Sequence, residues 1–156
     1  MEKTVKFEQY KLVKEHALAA VQAAGVSLPE AGSMNPVLLA YVGDVVFSLY
    51  VRLRFLAASS HVRVIHDLSS KAVSAVYQAK ALAALMDTLN EKELAVVKRG
   101  RNTKSSVPKS ASVHEYRMST AFEALIGWLF LSNEDERLGT IMEQAFNIIV
   151  DDFKTK

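Results

Sequence analysis

The stretch LAYVGDVVFSLY, residues 39–50, places a single carboxylate inside an apolar run. Asp44 is the only charged residue between Glu30 and Arg52. The run is apolar nearly all round a helix, which predicts a central and buried helix. Burying an unpaired carboxylate costs several kcal/mol or more, so we expect Asp44 to have a charged partner or a cation beside it.

The chain around this stretch is alanine-rich and has helical periodicity with little strand-like alternation. Asn35 and Pro36 supply a helix start, because asparagine caps a helix and proline fits its first turn. Asn90 and Glu93 have capping-box spacing. We predict an all-α fold of about six helices, with a break at Ser69–Ser70 left open in the third: 5–24, 36–57, 61–86, 90–100, 113–131 and 134–152.

A second stretch, STAFEALIGWLF at residues 119–130, repeats the pattern of one acid among apolar residues. Glu123 is flanked by small residues, as Asp44 is, and both stretches contain a glycine that permits close helix approach. Two such carboxylates could share one divalent cation, since Mg²⁺ needs few protein ligands and retains several waters. The other interpretation pairs each acid with a basic side chain, drawn from Arg52, Arg54, Lys71 and Arg117. The pattern alone leaves both open.

The segment VKRGRNTKSSVPKS, residues 97–110, has five basic side chains and no acid. Glycine, serine and proline within it predict a loop after the fourth helix. Such a segment suits contacts to nucleic-acid phosphates, and it is also compatible with an ordinary solvated surface. It lacks interleaved aromatic residues, which favours duplex over single-strand binding. The basic residues are Lys98, Arg99, Arg101, Lys104 and Lys109.

Composition narrows the class of protein further. The chain has 156 residues, a net charge of +2 and no cysteine, which fits one globular domain in a reducing cytoplasm. The charged N-terminus lacks the apolar core of a signal peptide, and no uninterrupted 18-residue apolar run is present, so no membrane association is expected. Phosphate-binding glycine motifs are also absent from the sequence.

Three of these segments resemble the ribonuclease III family. LAYVGDVVF is similar to its first signature, in which an aromatic residue precedes a Gly-Asp pair and apolar residues, and STAFEALIGWLF is similar to its second. VKRGRNTKS and YRMSTAFEALIGWLFL resemble the short branch called Mini-ribonuclease III. The resemblance spans residues 35–146. It implies an all-α catalytic domain at 31–156, preceded by a helical extension at 1–30.

The resemblance also implies roles for single residues. The family's metal-binding aspartate falls on Asp44 and its essential glutamate on Glu123, with Mg²⁺ as cofactor and Mn²⁺ as a substitute. Two further acids of full-length ribonuclease III correspond to Ala40 and Thr120, so one well-held ion is expected. Arg117 is expected to orient Glu123 or a phosphate. Contacts with the RNA backbone are expected from Lys98, Arg99, Arg101, Lys104 and Lys109.

The activity implied is hydrolysis of phosphodiesters in double-stranded RNA, giving 5′-phosphate products. For the short branch, the resemblance points to maturation of precursor large-subunit (23S) ribosomal RNA by a cytoplasmic homodimer. Two other functions remain open from the sequence. One is a catalytically silent factor that binds structured RNA in ribosome assembly, and the other is an all-α nucleotide hydrolase.

Overall fold

The computed structural model describes residues 2–103, 106–109 and 111–154, and these form an all-α fold, as predicted. Seven α-helices appear in the described residues rather than six, because the region 61–86 divides at Val73–Ser74. The helices are α1 Glu2–Ala23, α2 Pro36–Phe55, α3 Val62–Ala72, α4 Ala75–Leu85, α5 Glu91–Arg101, α6 Val113–Leu131 and α7 Asp135–Lys154, with 3₁₀ turns at Ala31–Ser33 and Met86–Thr88.

The helix starts follow from local side-chain chemistry. The Asn35 side chain accepts a hydrogen bond from the Val37 amide at 2.9 Å, and Pro36 occupies the first turn of α2. Asn90 and Glu93 form the expected capping box at α5. These caps satisfy amides that have no partner inside the helix and therefore fix where each helix begins.

Helices α2 and α6 cross in direct backbone contact at two glycines. A β-carbon built on Gly43 would lie 2.7 Å from the carbonyl carbon of Glu123, and one built on Gly127 would lie 2.8 Å from the carbonyl carbon of Leu39. Any side chain at either glycine would force the helices apart. Because Leu39 meets Gly127 while Gly43 meets Glu123, the two helices run antiparallel through this contact.

The main hydrophobic core surrounds the same helix pair. Phe47 of α2 and Phe122 of α6 are fully buried and meet edge to face, with ring centroids 4.9 Å apart. Helices α4 and α7 complete this core with side chains such as Leu82, Ile141 and Ile149. The packing fixes α6 in the middle of the molecule and determines which of its faces meets α2.

Only one face of α2 is buried, which corrects the prediction of a helix covered on all sides. The opposite face carries apolar side chains that are 43% to 75% exposed: Val37, Leu38, Tyr41, Val45, Leu49, Leu53 and Leu56. Among the described residues, α2 is also the one helix long and apolar enough to cross a membrane by length and composition. The sequence interpretation expected no such span, because it found no uninterrupted apolar run of 18 residues. Phe47 and Val51 hold the opposite face of α2 in the core of this protein. The apolar face that stays exposed therefore suits contact with another protein.

Helix α1 contacts the rest of the protein through a buried lysine. The Lys14 ammonium group donates to Asp135 Oδ1 at 2.9 Å and to the Phe130 carbonyl oxygen, and it lies 4.4 Å from the centroid of the Phe130 ring. It thereby joins α1 to the end of α6 and the start of α7. Division into an extension at 1–30 and a catalytic domain at 31–156 stays a prediction.

Candidate active site

The α2–α6 crossing brings the two predicted acids together. Asp44 follows the glycine that touches the backbone of Glu123, so the close approach of the helices also sets the spacing of the two carboxyl groups. The two carboxyl groups are close enough for Asp44 to raise the pKa of Glu123, through its charge and as a hydrogen-bond partner. The structure therefore makes one site from residues that lie 79 positions apart in the sequence.

The two acids differ in their surroundings. Asp44 is exposed, which corrects the expectation that it is buried, because it lies at the edge of the face of α2 that packs on α6. Glu123 is partly covered, and desolvation together with the charge and hydrogen bond of Asp44 raises its pKa to about 9. Without a cation, the pair therefore retains a proton at neutral pH, as closely spaced carboxyl groups do.

Two of the basic side chains considered as partners for these acids are engaged elsewhere. Arg54 forms an ion pair with Glu143. The Lys71 ammonium group lies 4.5 Å from the centroid of the Phe153 ring. The charged group that acts on Glu123 is Asp44 itself. This arrangement fits a divalent cation. A bound cation would offset the repulsion between the two carboxylates, which otherwise favours protonation of one of them.

The donor set is small. Within the described ranges, no group of three or more His, Cys, Asp or Glu side chains could hold a metal ion. Ala40 is buried, and the Thr120 hydroxyl donates to the Tyr116 carbonyl oxygen at 3.1 Å. Two carboxylates plus waters suffice for one Mg²⁺. The pair thus fits a site for one ion and does not supply the four carboxylates of a two-ion site.

Comparison with known proteins shows which family this arrangement belongs to. A family model described as the ribonuclease III domain matches residues 38–134. A curated Mini-ribonuclease 3 from Brevibacillus brevis is 48% identical over 117 residues, which cover 74% of this chain and 87% of that protein. The Mini-ribonuclease 3 of Staphylococcus aureus is 40% identical and covers 74% of this chain and 90% of its own length. The chain belongs to the Mini-ribonuclease III branch of the ribonuclease III family.

A solved structure shares this fold. A crystal structure of a Fusobacterium nucleatum protein is 26% identical, covers 74% of this chain and 96% of its own, and superposes with a TM-score of 0.70. As a member of the ribonuclease III family, the protein is an endoribonuclease. The match to the family model does not include α1.

The basic end of α5 in this Mini-ribonuclease III member packs against α6, the helix that carries Glu123. Gly100 of α5 is pressed against α6, since a β-carbon there would lie 2.9 Å from the Ala121 Cα and 3.1 Å from the Ala124 Cβ. Those alanines flank Glu123 in the chain. The turn of α5 around Gly100 carries Lys98 and Arg101, both exposed. The close approach of α5 to α6 therefore brings the basic end of α5 against the helix that carries Glu123.

The other predicted contact residues are more dispersed. Lys109 is exposed in a turn before α6, and Arg117 is exposed on the first half of α6. Lys104 lies outside the described residues. Roles in RNA binding for Lys98, Arg101 and Lys109, and an orienting role for Arg117, stay predictions.

The sequence interpretation missed two polar contacts that hold α5 in place. At its start, Arg137 of α7 forms two hydrogen bonds to the buried Glu93 carboxylate, at 2.8 and 3.0 Å. At its end, Arg99 donates to the Met34 carbonyl oxygen at 3.0 Å. The capping-box pattern revealed Glu93 as a cap, but no local signal connects it to Arg137, which is 44 residues away.

Proposed function

We propose that this endoribonuclease hydrolyses phosphodiesters in double-stranded RNA at the Asp44–Glu123 pair, with Mg²⁺ as cofactor and Mn²⁺ as a substitute. The observation that carries the proposal is the carboxylate pair at the α2–α6 crossing, with the basic end of α5 packed against α6. Carboxylates that can hold a cation suit hydrolysis of a phosphodiester, because the cation activates water, and the basic groups of α5 suit attraction of the phosphates.

The two acids take different parts in the proposed reaction. Asp44, which is exposed, holds the cation directly, and Glu123, which is more covered, holds the cation or orients the attacking water. A bound divalent cation supplies Lewis acidity, which activates water and offsets negative charge on the leaving oxygen. Cation binding requires Glu123 to lose its proton. The products proposed are 5′-phosphate and 3′-hydroxyl ends.

The proposed substrate is duplex RNA rather than a particular sequence. Lys98, Arg101 and Lys109 present exposed cationic groups suited to backbone phosphates. Double-stranded RNA is recognised mostly by shape, through phosphates and 2′-hydroxyls. The names of the curated relatives add that they are Mini-ribonucleases. Within that branch, we propose precursor 23S ribosomal RNA as the substrate and the cytoplasm as the compartment.

Incubating the protein with a long RNA duplex and with one of its single strands tests this proposal. We expect cleavage of the duplex in Mg²⁺, little cleavage of the single strand, and no cleavage in EDTA, with 5′-phosphates shown by end analysis. Binding of the duplex without cleavage would instead identify a silent RNA-binding relative. Hydrolysis of free nucleotides, with the RNA left intact, would identify a nucleotide hydrolase.

We further propose that the active protein is a homodimer. A single chain supplies one carboxylate pair, whereas cutting both antiparallel strands needs two sites related by a two-fold axis. The exposed apolar face of α2 suits the interface between two copies, because a face of this kind is unfavourable in water. Asp44 lies on the same helix, next to Val45 and one turn from Tyr41, so the two sites would flank the interface.

Sedimentation equilibrium at micromolar concentration tests the homodimer. We expect a mass of twice 17.2 kDa for the wild-type protein. Leu49→Glu places a charge on the α2 face and should produce a monomer, whereas Leu94→Glu changes an exposed leucine of α5 and should not. A wild-type monomer that makes paired cuts in duplex RNA would contradict the proposal, as would a Leu49→Glu variant that remains dimeric.

A further inference from the structure

Among the described basic residues of its segment, Arg99 is the one whose side chain hydrogen-bonds to a distant part of the protein. Its Nη2 donates to the Met34 carbonyl oxygen at 3.0 Å, across 65 positions of the chain. The side chain of Arg99 is otherwise exposed, as are those of Lys98 and Arg101 on the same turn. A hydrogen bond from a charged donor to a backbone carbonyl is among the stronger polar contacts, so it directs the Arg99 guanidinium toward the protein.

The carbonyl that Arg99 holds lies directly before α2. Met34 is buried and precedes Asn35, whose side chain caps the helix. Asp44 follows Pro36 by eight residues, which is roughly two turns of helix. A change in the orientation of the first turns of α2 would therefore move the Asp44 carboxylate.

Apolar packing supports the same junction. Met34, Leu39 and Ala40 at the start of α2 form a small core cluster with Val96 of α5 and Ala124 of α6. Arg99 is one turn after Val96, so its hydrogen bond joins the same two segments that meet in this cluster. The end of α5 is thus attached to α6 through Gly100 and to the start of α2 through Arg99.

From these contacts we propose that Arg99 is a positioning residue rather than a phosphate contact: it attaches the start of α2 to the end of α5 and thereby sets the position of Asp44 opposite Glu123. The inference rests on the proposed function for its effect on catalysis. Its structural half, the attachment of α2 to α5, is independent of that function. It revises the expectation that all the basic residues of this segment bind RNA.

The test compares Arg99→Ala with Arg101→Ala. The control is Lys92→Ala, because Lys92 is an exposed residue in the first turn of α5. RNA affinity is measured against salt concentration in Ca²⁺, and single-turnover cleavage is measured at saturating duplex RNA in Mg²⁺. For Arg99→Ala we expect about a tenfold loss of the saturated rate and an unchanged salt slope. For Arg101→Ala we expect the slope to flatten by somewhat under one unit. Arg99→Lys retains a donor and should recover part of the rate.

Hydrogen exchange of the amides of Leu38 and Leu39 gives a readout independent of cleavage. Both amides bond to the Asn35 carbonyl in the first turn of α2. They should exchange faster in Arg99→Ala than in Arg101→Ala or Lys92→Ala, even if the wild-type protein cleaves no RNA. Unchanged exchange would overturn the attachment. A flattened salt slope with a wild-type saturated rate in Arg99→Ala would show that Arg99 is a phosphate contact.

Discussion

Replacing Glu123 by glutamine is expected to lower the rate of duplex RNA cleavage at saturating RNA by about 10³-fold, the scale on which the loss of one electrostatic group in an active site acts. Glutamine keeps the shape of the side chain but cannot bind a cation as a carboxylate. Affinity for duplex RNA, measured in Ca²⁺, should remain close to that of the wild-type protein, because the basic groups are unchanged. Single-turnover assays with end-labelled duplex provide the rate.

Glu15→Gln is the matched control, since Glu15 is an exposed glutamate on α1. It should cleave at the wild-type rate. Cleavage by Glu123→Gln within tenfold of the wild-type rate would show that the glutamate is not part of the catalytic centre. Equal losses in the two variants would show that the effect is not specific to the site.

The same variant should be at least as stable as the wild-type protein when metal is removed by EDTA. The pKa of Glu123 is raised to about 9 in the folded protein. This carboxyl group therefore lowers the free energy of unfolding progressively as the pH increases from its unfolded pKa towards 9. Glutamine does not titrate. The melting temperature of Glu123→Gln should therefore exceed that of the wild-type protein at pH 8 and approach it at pH 4.

Replacing Gly43 by alanine is expected to cost roughly 3 kcal/mol or more of folding stability. The added methyl carbon would lie 2.7 Å from the Glu123 carbonyl carbon and 2.8 Å from the Gly127 amide nitrogen. Both neighbours are backbone atoms in the middle of α6, so no side chain can rotate to make room. Chemical denaturation in urea gives the free energy of unfolding.

Gly32→Ala is the control for this substitution, because a β-carbon at Gly32 has nothing within 4 Å. Its free energy of unfolding should stay within about 0.5 kcal/mol of the wild-type value. Wild-type stability in Gly43→Ala would mean that α2 and α6 do not touch at this crossing. Where enough Gly43→Ala remains folded, we also expect lower activity, since the crossing sets the spacing of Asp44 and Glu123.

Much of the local structure follows from the sequence because its causes are local. The predicted bounds of α6, 113–131, agree with the structure, and Ser112 and Glu115 form a capping box at its start. Asn35 with Pro36 and Asn90 with Glu93 likewise marked the starts of α2 and α5. The break before α4 was misplaced by a few residues because the cue at Ser69–Ser70 was weak.

The pairing of the acids could be suspected from the sequence but their environments could not. An apolar run predicts burial without saying which face of a helix has a partner, and the exposed side of α2 therefore reversed the expectation for Asp44. The glycines indicated close approach, but only the structure shows that Gly43 and Gly127 meet each other across one crossing. The contact between Arg99 and Met34 joins distant parts of the chain, and no periodic pattern in the sequence predicts it.

Binding of Mn²⁺ to the metal-free protein, followed by electron paramagnetic resonance in wild-type and Asp44→Asn proteins, tests most directly whether the carboxylate pair is a cation site. Asp87→Asn, a change to an exposed aspartate far from the pair in sequence, is the control. We expect saturable binding to the wild-type and control proteins, and affinity about tenfold or more weaker in Asp44→Asn, because a charged ligand is lost. Identical binding curves for the wild-type and Asp44→Asn proteins would contradict the assignment of the site.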